Sequence, residues 1–137
     1  MSEDPAIYNH LPEKILYLTL KKKWFDMISS GEKLDEYREL KRYWILRFIS
    51  QSFICDLNLK DWILYLIQKI QDGELTFKPY THVVFSNGYS FIAPKIKFSI
   101  KGFDIGFGRS DWGALSSEQC FIIHLDKKIE LRTNISV

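Results

Sequence analysis

The sequence predicts an α+β fold in which a small β-barrel of about five or six mostly antiparallel strands carries flanking helices. Three observations predict it. Residues 15–20 and 95–101 alternate apolar and polar side chains, which is typical of half-buried strands; residues 40–72 place apolar side chains at helical spacing instead; and a period of two returns from Pro79 onward. At 137 residues the chain has the length of one domain, so we expect a single core over 1–137.

The first forty residues predict a strand, a short helix and a second strand. Residues 1–13 are interpreted as an N-terminal extension, and the strand follows over 15–20. Apolar residues at i, i+3 and i+4 from Trp24 then predict two helical turns, which Gly31 would end in a left-handed conformation. Alternation resumes over residues 33–39. These elements lead into a helical insertion.

The helical insertion spans residues 41–73 and contains two predicted helices. The first runs roughly from Leu40 to Ser50. The second has clearer ends, because Asn58 is a favourable N-cap, Asp61 places a carboxylate in the first turn and Gly73 closes the helix. We therefore expect a helical pair between the early strands and the later ones.

The second half of the chain predicts consecutive strands. An Asn–Gly pair within residues 86–89 indicates a tight reversal, since this dipeptide readily adopts positive φ angles. Strands are predicted over 81–85, 95–101, 120–125 and 128–132, of which 120–125 is apolar on both faces. Three glycines, which predict bends where a strand turns a barrel corner, are Gly102, Gly106 and Gly108.

Charge and cysteine content exclude several classes of protein. The net charge of +2 excludes a histone-like protein, although residues 41–109 hold ten basic and five acidic side chains. That excess fits either a nucleic-acid footprint or lysines on the solvent side of strands. Cys55 and Cys120 are too few for a disulfide framework and are interpreted as buried thiols. The acidic residues 1–5 do not begin a secretory signal, and no apolar run reaches membrane-spanning length, so a cytoplasmic location without membrane contact is expected.

Residues 31–38 hold the most unusual local chemistry. On a regular strand Leu34, Glu36 and Arg38 share one face, and Tyr37 lies on the other. If Leu34 marks the interior, a charged pair is buried, and such pairs persist only with good partners, often at a functional site. If Tyr37 marks the interior, both charges are solvated. The periodicity leaves these two alternatives open.

Residues 31–38 also fill all four fixed positions of the pattern G-x-K-x-x-E-x-R, which resembles the signature of the ASCH domain, a relative of the PUA RNA-binding domains. The order of predicted elements and the Trp112-Gly113 pair ahead of the last strand are similar to the small single-domain ASCH proteins of bacteria and phages. The resemblance covers roughly residues 15–132. It implies a PUA-like β-barrel whose signature strand lines a cleft.

The resemblance implies binding of RNA or a modified nucleoside, with Lys33, Glu36 and Arg38 in the cleft. No cofactor and no metal are expected. Arg38 would hold a phosphate or stack on a base, and Glu36 would orient Arg38 or accept a hydrogen bond from a base. Tyr89 is suited to stacking on an unpaired base. The residues expected around the mouth of the cleft are Lys41, Arg42, Asn87, Tyr89 and Arg109.

An alternative function is a small hydrolase that acts on an N-acylated nucleoside such as acetylated cytidine, or on RNA. Some small ASCH proteins deacylate acetylated cytidine with the signature lysine, a threonine at the position of the signature glutamate, and a distant glutamate. Lys33 matches that lysine, whereas Glu36 replaces the threonine and removes its hydroxyl. Glu36 would then act as a base on water and Lys33 would stabilise an oxyanion, provided that Lys33 sits at a bend.

Other clusters favour structural roles. Cys120 and His124 share a strand face, but with His82 they lack the spacing of a metal site and are interpreted as packing. The glycines after residue 101 do not form a dinucleotide-binding motif. Trp44 and Trp62 are interpreted as the contact of the helical pair with the barrel, with a partner-binding surface as the alternative.

Overall fold

The computed structural model describes residues 12–50 and 58–131, which fold into five strands, three helices and one 3-10 turn. This is the predicted α+β class, and the number of strands lies within the predicted range. In chain order the elements are β1 (Ile15–Leu20), α1 (Lys22–Ser29), β2 (Asp35–Glu39), α2 (Arg42–Phe48), α3 (Leu59–Gln71), β3 (His82–Asn87), β4 (Lys95–Phe107), the 3-10 turn (Ser110–Trp112) and β5 (Gln119–Ile129).

The strands form one curled sheet in the order β1-β3-β4-β5-β2. β1 pairs with β3 in parallel, and the other three pairings are antiparallel. β1 and β2 are the two edge strands, and within the described residues no strand closes the gap between them. The sheet is therefore a half-barrel with an open side between β1 and β2.

One apolar core fills the side of the sheet that faces the helices. Alternate residues of the strands point into it, as the period of two predicts. Trp62 of α3 is buried there, and Trp44 of α2 packs against the same core, which confirms that the helical pair contacts the sheet. Fully buried side chains at its centre are Leu16, Ile28, Phe48, Leu66, Val83, Phe85, Phe121 and Ile123.

The helix ends follow the local sequence signals. Gly31 and Gly73 adopt positive φ angles of 85° and 74° after α1 and α3, as predicted for residues that stop a helix. The side chain of Asn58 accepts a hydrogen bond from the Asp61 amide at 3.0 Å. α2 is shorter than the predicted helix because Lys41 is extended at its start and Ile49 is extended at its end. Within the described helices, none has the length and apolar character that crossing a bilayer requires.

The predicted tight reversal at Asn87–Gly88 is wrong. Asn87 is the last residue of β3 and pairs with Leu20, and only Gly88 has a positive φ, 88°. A two-residue turn would bring β4 back at once, whereas the chain uses residues 88–94 before Lys95 begins that strand. The hydrogen bond from the Asn87 amide to the Pro94 carbonyl, 2.9 Å, closes this longer loop.

The curvature of β4 also differs from the prediction. The strand runs without a break from Lys95 to Phe107, through Gly102 and Gly106. Its register against β5 shifts between Phe98 and Gly102, so β-bulges rather than glycine bends curve the sheet. Of the three predicted glycines, Gly102 alone lies at a bulge. β5 joins most of the two last predicted strands into one element. The predictions for residues 1–11, Cys55 and Arg132 fall outside the described residues.

Candidate functional site

Three signature side chains form one continuous chain of charges. Lys33 Nζ lies 3.2 Å from Glu36 Oε1, and the other carboxylate oxygen of Glu36 lies 2.7 Å from Arg38 Nη2. The exposed fractions of the three side chains are 1%, 7% and 17%. Glu36 and Arg38 therefore point toward the core, and the alternative in which both are solvated is wrong. One carboxylate is shared by two cations in a largely dry environment.

Lys33 reaches Glu36 because it lies ahead of the strand. β2 begins at Asp35 rather than at Lys33, so the alternation of faces does not extend back to the lysine. The Lys33 amide donates to the Met27 carbonyl of α1 at 2.9 Å, which holds this segment against the helix. The required bend is thus present, and the residue after it, Leu34, is exposed instead of marking the interior.

The Lys33 ammonium group is completely enclosed. It donates to the Trp112 carbonyl at 2.6 Å and lies over the rings of Trp24 and Tyr37, 5.3 and 4.6 Å from their centroids. Burial lowers the pKa of Lys33, and the charge of Glu36 opposes that effect. A carbonyl, a carboxylate and two ring faces thus surround the ammonium.

Arg38 is the member of the chain that reaches the surface. Its Nη2 also donates to the Thr19 carbonyl at 3.1 Å, so the side chain bridges β2 and β1 across the open side of the half-barrel. Its guanidinium carbon lies 4.8 Å from the ring centroid of Trp44. Within the described part of the chain, Nε is buried without a hydrogen-bond partner, and no residue accepts a hydrogen bond from Nη1. Arg38 therefore keeps donors that the described residues do not use.

The segment 108–114 covers Lys33 and fits closely against the signature strand. A Cβ on Gly108 would lie 2.6 Å from the ring of Tyr37, and one on Gly113, where φ is 103°, would lie 3.0 Å from Trp24. Tyr37 Oη accepts a hydrogen bond from the Arg109 amide at 3.0 Å, and burial raises the pKa of this phenol. Glycine is required at both positions because larger residues would push the cover away from the rings.

The five residues predicted around the mouth do not join the charge chain through any hydrogen bond or ion pair among the described residues. Arg42 lies over the ring of Trp62, and Arg109 makes two contacts with Asp111, of 3.0 and 2.6 Å, while stacking on Trp112. Lys41 is exposed at the start of α2. Asn87 and Tyr89 lie at the end of β3 and in the loop after it.

A second cluster on the opposite face of β2 was missed by the sequence analysis. His124 Nδ1 lies 2.8 Å from Asp35 and its Nε2 lies 2.8 Å from Asp104. Burial alone would lower the pKa of His124, but the two carboxylates outweigh burial and raise it. The cluster borders a shallow cavity of about 450 Å³ lined also by Lys101 and Trp112. His124 therefore bridges two carboxylates and is more than a packed side chain.

The remaining metal candidates stay apart. Cys120 is buried, and burial raises the pKa of its thiol. His82 contacts the hydroxyl of its neighbour Thr81 at 2.7 Å on another strand. Over residues 12–50 and 58–131, no group of three or more His, Cys, Asp or Glu side chains is arranged to hold a metal ion.

In comparisons with known proteins, no protein-family model, no curated protein and no solved structure matches the chain. The fold and the geometry of the site define the class of protein. It is an α+β half-barrel in which a buried Lys–Glu–Arg chain ends at the open side of the sheet, where one arginine is partly exposed.

Proposed function

We propose that the protein binds RNA or a modified nucleoside at the open side of the half-barrel, with Arg38 as the residue that contacts the ligand. The observation that carries the proposal is the state of the Arg38 guanidinium. It is held by Glu36 and Thr19 through a single nitrogen and packs over Trp44, and since Nη1 has no acceptor among the described residues, it is able to donate to a ligand. The resemblance of residues 31–38 to the ASCH signature supports the same ligand class.

Arg38 matches the chemistry of a nucleotide. A guanidinium held in a fixed plane donates to phosphate oxygens or base carbonyls, and it also stacks on a flat ring. Glu36 fixes the direction of the group, and Lys33 balances the charge of that carboxylate from the buried side. Lys33 and Glu36 are thus positioning residues in this proposal, and Arg38 is the contact.

The proposal is tested by titrating a labelled single-stranded oligoribonucleotide, and separately cytidine monophosphate, with wild type, Arg38→Ala and Arg38→Lys. We expect Arg38→Ala to weaken binding of both ligands about tenfold or more, because a charge-assisted hydrogen bond is lost. Arg38→Lys should recover only part of the affinity, since lysine lacks the planar fork.

The matched control for this test is Lys127→Ala, which removes one exposed cation from β5. It should leave both affinities close to wild type. Thermal unfolding of each variant verifies that the fold is retained. Binding by Arg38→Ala that equals that of wild type, in a variant that remains folded, would contradict the proposal.

A second candidate function, hydrolysis of an N-acylated nucleoside or of RNA, is favoured by the contact of Lys33 with Glu36 at 3.2 Å and by the lowered pKa of Lys33. An amine and a carboxylate this close are able to activate water when a substrate reaches them. Here the Lys33 amine and the Glu36 carboxylate are enclosed and paired with each other, and the amine also donates a hydrogen bond to the Trp112 carbonyl. We therefore expect binding without turnover.

Chromatography of acetylated cytidine after incubation with the protein tests this expectation. Wild type should release no more cytidine than Lys33→Ala does, and a labelled single-stranded RNA should remain intact. Release of cytidine by wild type that Lys33→Ala abolishes would instead establish the hydrolase and assign Lys33 to its reaction.

A further inference from the structure

The loop between β3 and β4, residues 88–94, presents three apolar side chains almost fully to solvent. The exposed fractions are 94% for Tyr89, 95% for Phe91 and 84% for Ile92, and no other large apolar side chain among the described residues exceeds 62%. The loop is fixed by hydrogen bonds from Asn87 to Pro94 and from Ala93 to Ser90, both 2.9 Å. These hydrogen bonds hold the apolar side chains in an exposed position, and exposed apolar clusters of this kind mark contact surfaces.

The loop starts beside the site proposed above. The Gly88 amide donates to the Leu20 carbonyl at 3.1 Å, and Arg38 Nη2 donates to the carbonyl of the preceding residue, Thr19, at 3.1 Å. Adjacent residues of β1 therefore anchor the Arg38 guanidinium and the base of the loop. Because consecutive carbonyls of a strand point to opposite sides, the loop lies across β1 from Arg38, and a ligand bound at Arg38 would cross the end of β1 to reach the rings of Tyr89 and Phe91.

The charged residues beside the loop favour an anionic partner. Residues 86–94 contain no acidic side chain. Lys21 directly follows β1 and Lys95 begins β4, so one exposed lysine lies at the end of each strand that flanks β3 here. Aromatic rings between cations are the usual surface for unpaired nucleic acid, because the rings stack on bases and the cations contact phosphates.

We propose that the loop 88–94 is a second contact surface for the ligand of Arg38, and that this ligand is an unpaired RNA strand rather than a free nucleoside. Arg38 holds one nucleotide, and Tyr89 and Phe91 stack on neighbouring bases. Lys21 and Lys95 contact the phosphates between them. This inference rests on the proposed function and adds that the ligand is a strand of several nucleotides that contacts both Arg38 and the loop. An anionic membrane would also attract an apolar loop between lysines, but the connection of the loop to Arg38 through β1 favours RNA.

The test compares wild type with the double variant Tyr89→Ser and Phe91→Ser, whose side chains are too exposed to support the core. We expect affinity for the labelled single-stranded oligoribonucleotide to fall about tenfold or more, because the variant removes both rings on which bases would stack. Affinity for cytidine monophosphate, which occupies Arg38 alone, should stay unchanged. The control Leu64→Ser, on α3 and 59% exposed, should bind both ligands as wild type does.

Lys21→Ala combined with Lys95→Ala gives an independent measurement. The slope of log K against log salt for the oligoribonucleotide should become shallower by about 0.7 for each lysine that contacts a phosphate of a single strand. The same pair should not alter the binding of cytidine monophosphate. An unchanged slope would remove the lysines from the proposed contact surface.

The outcomes separate the two proposals. If the loop variant binds the oligoribonucleotide as wild type does while Arg38→Ala binds it weakly, the loop proposal is overturned and the proposed function stands. If Arg38→Ala binds both ligands as wild type does, the proposed function is overturned. If the loop variant retains the oligoribonucleotide but no longer sediments with vesicles of phosphatidylserine and phosphatidylcholine, the loop is a membrane contact and the RNA proposal for it is overturned.

Discussion

The two faces of β2 carry two charged clusters that differ in almost every physical respect. Toward the core, Glu36 joins Lys33 and Arg38 in a chain that is largely removed from water. On the other face, Asp35 shares His124 with Asp104 in a cluster that is open to solvent. Both clusters are connected through contacts between 2.7 and 3.2 Å, so burial rather than geometry separates them.

Burial decides what each cluster contributes. In the core-facing chain every charge depends on its neighbour, because an unpaired ion there has no water to replace the lost contact. Lys33 and Glu36 are consequently fixed in place, and the only freedom lies at Arg38, near the surface. In the outer cluster water compensates for a lost partner, so the energetic role of His124 is small and depends on its protonation.

The largest predicted effect comes from Glu36→Gln, which keeps the shape of the side chain and removes its charge. Lys33 and Arg38 then face each other without the carboxylate between them. We expect the free energy of unfolding to fall by about 3 kcal/mol or more, as is typical when one partner of a buried ion pair is removed. Urea unfolding followed by circular dichroism measures the change.

The matched control is Glu39→Gln, which removes an exposed carboxylate from the same strand. Its free energy of unfolding should remain within about 0.5 kcal/mol of wild type. Equal and small changes in the two variants would show that the core-facing chain does not depend on its charges and would remove the contrast between the two faces.

Much of the fold is predictable because its signals are local. Residues 15–20 form a strand and residues 58–73 form a capped helix because alternation, the Asn58 cap and Gly73 each act within a few residues. The prediction of a tight reversal at Asn87 is wrong because the conformation there depends on contacts between distant strands. β3 is held on both sides, by β1 and by β4, and the pairing of Asn87 with Leu20 keeps it extended where an isolated hairpin would turn.

The candidate site divides in the same way. The pattern in residues 31–38 indicates which charges matter, since their spacing is visible in the sequence. The partners of those charges come from distant segments: Lys33 contacts the carbonyl of Trp112, and Arg38 contacts that of Thr19. The cluster around His124 depends on the register of β5 against β2 and β4, which includes bulges that no local pattern specifies.

The smallest predicted effect concerns the outer cluster and appears as a dependence on pH. The pKa of His124 is raised in the folded protein, so folding favours the protonated ring. His124 therefore adds stability below the unfolded-state pKa of about 6.5 and loses that contribution as the pH rises through the folded-state value. We expect wild type to be more stable than His124→Gln in mildly acidic solution, and the difference to shrink toward alkaline pH.

Urea unfolding of wild type and His124→Gln at a series of pH values measures this difference, and an NMR titration of the His124 ring gives its midpoint directly. A midpoint above about 6.5 and a difference that declines with pH are the expected results. A difference that is constant with pH would mean that His124 contributes through packing alone, as the sequence first indicated. Because water reaches the ring and screens its ion pairs, the magnitude should remain well below that of Glu36→Gln, which preserves the contrast between a cluster that burial fixes and one that water moderates.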